Sequence, residues 1–68
     1  MLEKMNKLSG EQLCQAAEQA MADYSGLYPL PENCADYCFD LIAELIKRNE
    51  PQFKEYSIML TNMIESKF

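Results

Sequence analysis

The fold of this chain is decided by the segment PENCADYCFDLIAELIKRN, which spans residues 31–49 and has the most apolar composition in the sequence. At about 100° per residue, its apolar side chains cover an arc of roughly 160°, wider than the stripe of an ordinary surface helix. A helix with so wide an apolar face packs against two neighbours. The pattern therefore predicts a central helix over about residues 32–49, built on Cys34, Ala35, Cys38, Phe39, Leu41, Ile42, Leu45 and Ile46.

Start signals on either side of this segment predict two more helices. Ser9 is a good N-cap and Gln12, three residues later, completes a capping box, so a helix is expected over about residues 10–25. Pro51 suits the first turn of a helix, which helical spacing extends over about residues 51–66. Short connections favour antiparallel neighbours. The expected fold is all-α, a compact three-helix bundle running up-down-up, with a dimer as one expected assembly.

The chain length allows one domain. Its 68 residues are near the lower limit for independent folding. We expect residues 9–68 to form a single three-helix domain, preceded by a segment, residues 1–8, that is either flexible or partly helical. A core of this size contributes no more than about 3–5 kcal/mol, and small domains often depend on a staple or a partner.

The cysteines do not provide an obvious staple. There are three of them and no histidine, whereas structural zinc sites use four Cys or His ligands. The N-terminal residues MLEKMNKL contain no apolar stretch typical of a secretory signal. We therefore expect Cys14, Cys34 and Cys38 to be reduced, buried small hydrophobes in a cytoplasmic protein, with no disulfide, metal or cofactor.

Charge and composition exclude several function classes. Six basic residues face eleven acidic ones, giving a net charge of −5, which argues against direct binding to nucleic acid or to an anionic membrane. No apolar run approaches the ~20 residues of a membrane span. Without histidine, and with only two glycines, the chain lacks the usual general base and any glycine-rich phosphate loop. We expect no enzymatic activity and no small-molecule substrate.

An acidic series on the central helix is the first candidate binding feature. Its members are four residues apart and rise by about 6 Å per step along a slowly turning ridge: Glu32, Asp36, Asp40 and Glu44. Such a ridge could imitate a phosphate backbone, but it is also typical of a solvated helix face. Acidic residues in the first turns suit the helix dipole, and Lys47 and Arg48 can pair with Glu44. Both interpretations stand.

An excess of apolar positions is the second candidate. Three helices of this length cannot bury both sides of the central helix and the whole third stripe. The surplus consists of Tyr37, Phe39, Ile58, Met59 and Met63. Exposed apolar side chains in so small a domain indicate a homodimer or a partner helix, unless residues 1–8 cover them.

These features favour a small acidic, non-enzymatic protein–protein interaction module that binds a protein partner or a second copy of itself. Small size and the lack of chemistry favour an accessory protein of a phage or other mobile element. The alternative is an acidic decoy inhibitor, which blocks a nucleic-acid-binding enzyme or defence complex by imitating phosphate charge.

Overall fold

The computed structural model describes residues 2–67, with side chains from residue 5 onward. The described chain forms four helices, α1 (Leu2–Lys7), α2 (Gly10–Tyr24), α3 (Glu32–Arg48) and α4 (Pro51–Glu65), joined by short turns. The predicted all-α class and compactness are confirmed. The helix count differs from the predicted three because the N-terminal segment contributes a short helix of its own.

Helix α2 begins at the predicted capping box. The backbone N–H of Gln12 donates to Ser9 Oγ at 3.1 Å, and Ser9 N–H donates to Gln12 Oε1 at 2.9 Å. Each bond satisfies a donor that the first helical turn would otherwise leave without a partner. The helix ends at Tyr24, where the N–H of Ser25 still donates to the carbonyl of Met21.

Helices α3 and α4 are separated by two residues. Asn49 ends α3 in the left-handed conformation, with φ 54°, and Glu50 follows in an extended conformation. Pro51 is then the first residue of α4, where its missing N–H leaves no hydrogen bond unmade. This tight connection keeps α3 and α4 side by side.

The core lies between the three long helices, each of which contacts the other two. The buried apolar side chains of the described residues are Met5, Leu13, Ala17, Ala20, Leu30, Ala35, Cys38, Leu41, Leu45, Phe53, Leu60 and Ile64. Helix α3 supplies four of them, so it is the central helix that its apolar arc predicted.

Helix α1 packs on α3. Its Met5 side chain is buried, and the Met5 carbonyl accepts a 3.0 Å hydrogen bond from Nη2 of Arg48, the last residue of α3. The same arginine donates through Nε to Glu44 Oε2 at 2.9 Å. The last turn of α3 therefore holds α1 in place.

Candidate interaction surface

The acidic series does not form one continuous ridge. Glu32 and Asp36 are exposed and Asp40 is partly buried, but Glu44 is only 8% exposed and is paired with Arg48. A step of four residues turns by about 40° around a helix, so three steps turn the last carboxylate by about 120°. That rotation carries Glu44 from the solvent side of α3 towards α1.

The apolar candidates fall on two sides of α4. Ile58 and Met59 are adjacent in sequence and therefore point about 100° apart. Both are about half exposed, at 51% and 45% respectively. Ile58 lies on the side that faces α3, because it shares a surface hollow with Ile46 of that helix. The turn of about 100° places Met59 further from α3, on the flank of α4 that also carries Tyr56 and Met63.

The remaining apolar candidates differ in exposure. Tyr37 and Met63 are partly buried and pack against the core, whereas Phe39 is 51% exposed. Phe39 shares a second hollow with Ile42 of α3 and Thr61 of α4. The five predicted residues thus do not come together as one cluster.

A mainly apolar surface nevertheless lies at the junction of α3 and α4, where residues of both helices line two separate hollows. We call it the apolar face and define it by Phe39, Ile42, Ala43 and Ile46 of α3 with Ile58 and Thr61 of α4. Two shallow hollows, of about 330 Å³ and about 300 Å³, lie along it. Charged side chains stand at its two ends, with Lys54 lining the first hollow and Glu65 lining the second.

Ile46 is the member of this surface that sequence reasoning assigned to the core. Its side chain is 62% exposed. Among residues 5–67, the other exposed leucine, isoleucine and methionine side chains are Leu27, Ile58 and Met59, and each is less exposed than Ile46. The feature of the sequence that could have indicated this exposure is the width of the apolar arc of α3. The wide arc predicted contact with more than one helix, but α1, α2 and α4 together leave the edge of the arc at Ile46 in solvent.

The opposite side of α4 is tied to α2 by a polar contact. Tyr56 Oη donates to Glu18 Oε2 at 2.8 Å. This hydrogen bond to a carboxylate, together with burial of the ring, raises the pKa of Tyr56 above its ordinary value. Met63 packs beside it against the core. The flank of α4 that faces α2 is therefore tied to that helix by a polar contact, although Met59 remains 45% exposed there, and Ile58 is 51% exposed on the flank next to α3.

The three cysteines are free thiols, and the pKa values of two of them, Cys14 and Cys38, are raised. Cys38 is fully buried, and Cys14 and Cys34 are partly buried. Burial, with a smaller contribution from Cys34, raises the pKa of the Cys38 thiol to about 11. Burial, followed by the nearby carboxylates of Glu18 and Glu50, also raises the pKa of Cys14. Nucleophilic and metal-binding cysteines need the thiolate, which these surroundings disfavour at neutral pH.

The described part of the chain shows neither a metal-binding cluster nor a membrane-spanning helix. Within residues 2–67, no group of three or more Cys, His, Asp or Glu side chains is placed to hold a metal ion. None of the four described helices has the length and apolar character that crossing a bilayer requires. A comparison with known proteins found no matching protein family, no matching curated protein and no matching solved structure.

Proposed function

We propose that this protein is a non-enzymatic protein–protein interaction module that self-associates through the apolar face of α3 and α4. The observation that carries the proposal is the exposure of Phe39, Ile46 and Ile58, each at least half accessible. Ile46 and Ile58 line one hollow between α3 and α4, and Phe39 lines the other. Scattered exposed apolar residues are ordinary, but a contiguous set on a domain this small is typical of an interface.

The charge of the chain supports a protein partner. A net charge of −5 repels nucleic acid and anionic lipid at long range. Two copies of the chain repel one another in the same way, so self-association has to draw its affinity from short-range apolar contact. Covering apolar surface contributes about 25 cal/mol for each Å² removed from water. A second copy also adds to the small core of the single chain, which matters where the core contributes only about 3–5 kcal/mol.

The direction of the helices is part of the proposal. We infer that α2, α3 and α4 run up-down-up. Gly10 at the start of α2 lies against the ring of Phe53 at the start of α4, and Lys67 beyond α4 donates to the carbonyl of Ser25 beyond α2. The end of α3 lies beside α1, through Arg48. Antiparallel α3 and α4 would expose one broad groove along their whole length.

The decoy function has less support. Glu44 is buried and paired, so the acidic series offers only Glu32, Asp36 and partly buried Asp40 to a partner. Three carboxylates on one helix imitate a phosphate backbone poorly. Reversing Asp36 to lysine should leave self-association through the apolar face unchanged and would abolish binding by a decoy.

A dilution series followed by ¹H–¹⁵N NMR tests the proposed surface. A dimer whose Kd lies between about 1 mM and about 1 µM, that is, with an association free energy of about 4 to 8 kcal/mol, separates into monomers as the protein is diluted through this range. Amide signals of Phe39, Ile46 and Ile58 should shift with concentration, whereas those of Gln15 and Ala22 on the outer side of α2 should not. Spectra that are independent of concentration, or shifts concentrated on α2, would contradict the proposal.

A further inference from the structure

Helix α1 is attached to the rest of the domain by few interactions. Its six residues are too few for an isolated helix to be stable in water, so its structure depends on docking. Among the described residues its main packing partner is α3. From residue 5 onward, Met5 is the buried side chain of this helix, whereas Asn6 and Lys7 are exposed. Met5 is therefore the main apolar anchor of the last turn of α1.

A polar contact from α3 completes the docking. The last carbonyls of a helix have no partner within it, and the Met5 carbonyl is one of these in α1. It accepts a 3.3 Å hydrogen bond from the N–H of Leu8 and a 3.0 Å hydrogen bond from Nη2 of Arg48. The guanidinium also places a positive charge at the end of α1 where the helix dipole favours one. Arg48, which is itself held by Glu44, thus fixes α1 to α3.

The three long helices have their own contacts and their own start signals. Each of them contacts the other two, and apart from Met5 every buried apolar side chain of the described residues lies between Leu13 and Ile64. At the start of α2, Ser9 and Gln12 satisfy one another's backbone donors through their side chains. The start of α2 and the core between α2, α3 and α4 therefore do not need α1 in place.

We propose that α1 is a strap that opens as a unit at Ser9 while α2, α3 and α4 stay folded. Proteins open locally in cooperative units, and the units with few buried contacts open at the lowest free energy. Opening exposes Met5 and uncovers the pair of Glu44 and Arg48, in which Glu44 is only 8% exposed when the strap is closed. The strap thus controls access to this part of α3. Opening requires no second copy of the chain, so it is independent of the proposed self-association.

Native-state hydrogen exchange of the wild type, at urea concentrations below the unfolding transition, tests the strap. The amides of Asn6, Lys7 and Leu8, here called the strap amides, should have protection factors about tenfold to a hundredfold lower than that of Leu45 in α3. Their exchange should also depend less on urea, because opening α1 exposes less surface than global unfolding. The amide of Leu13, in the first turn of α2, should behave like that of Leu45.

Two results for the wild type would overturn the proposal. If the strap amides and the Leu45 amide have equal protection and equal urea dependence, α1 unfolds only together with the whole domain. If the strap amides exchange as fast as those of an unstructured peptide, α1 does not close on α3 at all.

A matched pair of variants tests the anchor. Met5→Ala removes the buried side chain of α1, and Met59→Ala makes the same truncation on α4 at a side chain that is 45% exposed. Met5→Ala should speed exchange of the strap amides at least about tenfold, whereas Met59→Ala should leave them within about twofold of the wild type. The Leu13 and Leu45 amides should stay protected in Met5→Ala. Loss of their protection in that variant, or equal effects of the two variants on the strap amides, would overturn the proposal.

Discussion

Replacing Arg48 with alanine should remove a large part of the stability of this small domain. Arg48 makes two contacts, from Nε to Glu44 at 2.9 Å and from Nη2 to the Met5 carbonyl at 3.0 Å. The side chain of Glu44 is 9% exposed and that of Arg48 is 20% exposed. Truncation would leave a nearly buried carboxylate without its cation and would remove the donor that holds α1.

The magnitude follows from the burial of the pair. Removing one partner of a fully buried ion pair costs about 3–5 kcal/mol. Arg48 is one-fifth exposed, so water can partly solvate the remaining carboxylate of Glu44 and reduce this cost to about 2–3 kcal/mol. Because a domain of this size has about 3–5 kcal/mol in total, Arg48→Ala should be only marginally folded at room temperature.

Urea unfolding followed by circular dichroism measures this loss. Lys47→Ala is the matched control, since it also removes a cation from the last turn of α3 but at an exposed position. The double variant Glu44→Met with Arg48→Met leaves no unpaired charge and should be more stable than Arg48→Ala, although it still lacks the hydrogen bond to the Met5 carbonyl. The reasoning fails if Arg48→Ala costs no more than Lys47→Ala, or if the double variant is less stable than Arg48→Ala.

Two further changes should alter stability in defined directions. A Cβ at Gly10 would lie 3.1 Å from the ring of the buried Phe53, so Gly10→Ala should not stabilise the protein. A Cβ at Gly26 would meet open space, and the φ of Gly26 is not positive. Gly26→Ala should therefore raise the free energy of unfolding by about 0.4–1 kcal/mol. The reverse order of urea midpoints would contradict this. The raised pKa of Cys38, about 11 against an ordinary 9.0, contributes stability that is complete below pH 9 and is lost as pH rises towards 11. Cys38→Ala should therefore lose less stability over that interval, and equal losses would be contrary evidence.

Helix starts were predictable because their signals are local. The capping box of Ser9 and Gln12 lies within four residues, and the effect of Pro51 depends on its own ring and φ angle. Such interactions form within one turn of chain, whatever packs on the helix later. The predicted bounds of the three long helices consequently differ from the observed ones by only a residue or so at each end.

The surface was harder to predict because side-chain exposure depends on neighbouring helices. Four-residue spacing suggested that Glu44 continues the acidic series, but the position of α1 and Arg48 buries it. Ile46 belongs to the same apolar arc as Leu45, yet one is 62% exposed and the other 1%. Only the place where α4 packs on α3 decides which edge of that arc stays in solvent.

The short N-terminal helix depends on contacts far along the chain. Six residues are too few for an isolated helix to be stable in water. Met5 is held by burial and by the hydrogen bond from Arg48, which is 43 residues away in sequence. No pattern within residues 1–8 could show that contact.

Sedimentation equilibrium of two neighbouring variants tests the central claim most directly. Ile58→Glu and Met59→Glu add the same charge to the same helix at positions that are 51% and 45% exposed, but the two side chains point about 100° apart and only Ile58 lines the hollow shared with α3. If the apolar face is the interface, the wild type and Met59→Glu will self-associate with similar Kd, and Ile58→Glu will be monomeric. Equal behaviour of the two variants, or a wild type that is monomeric up to about 1 mM, would contradict the account.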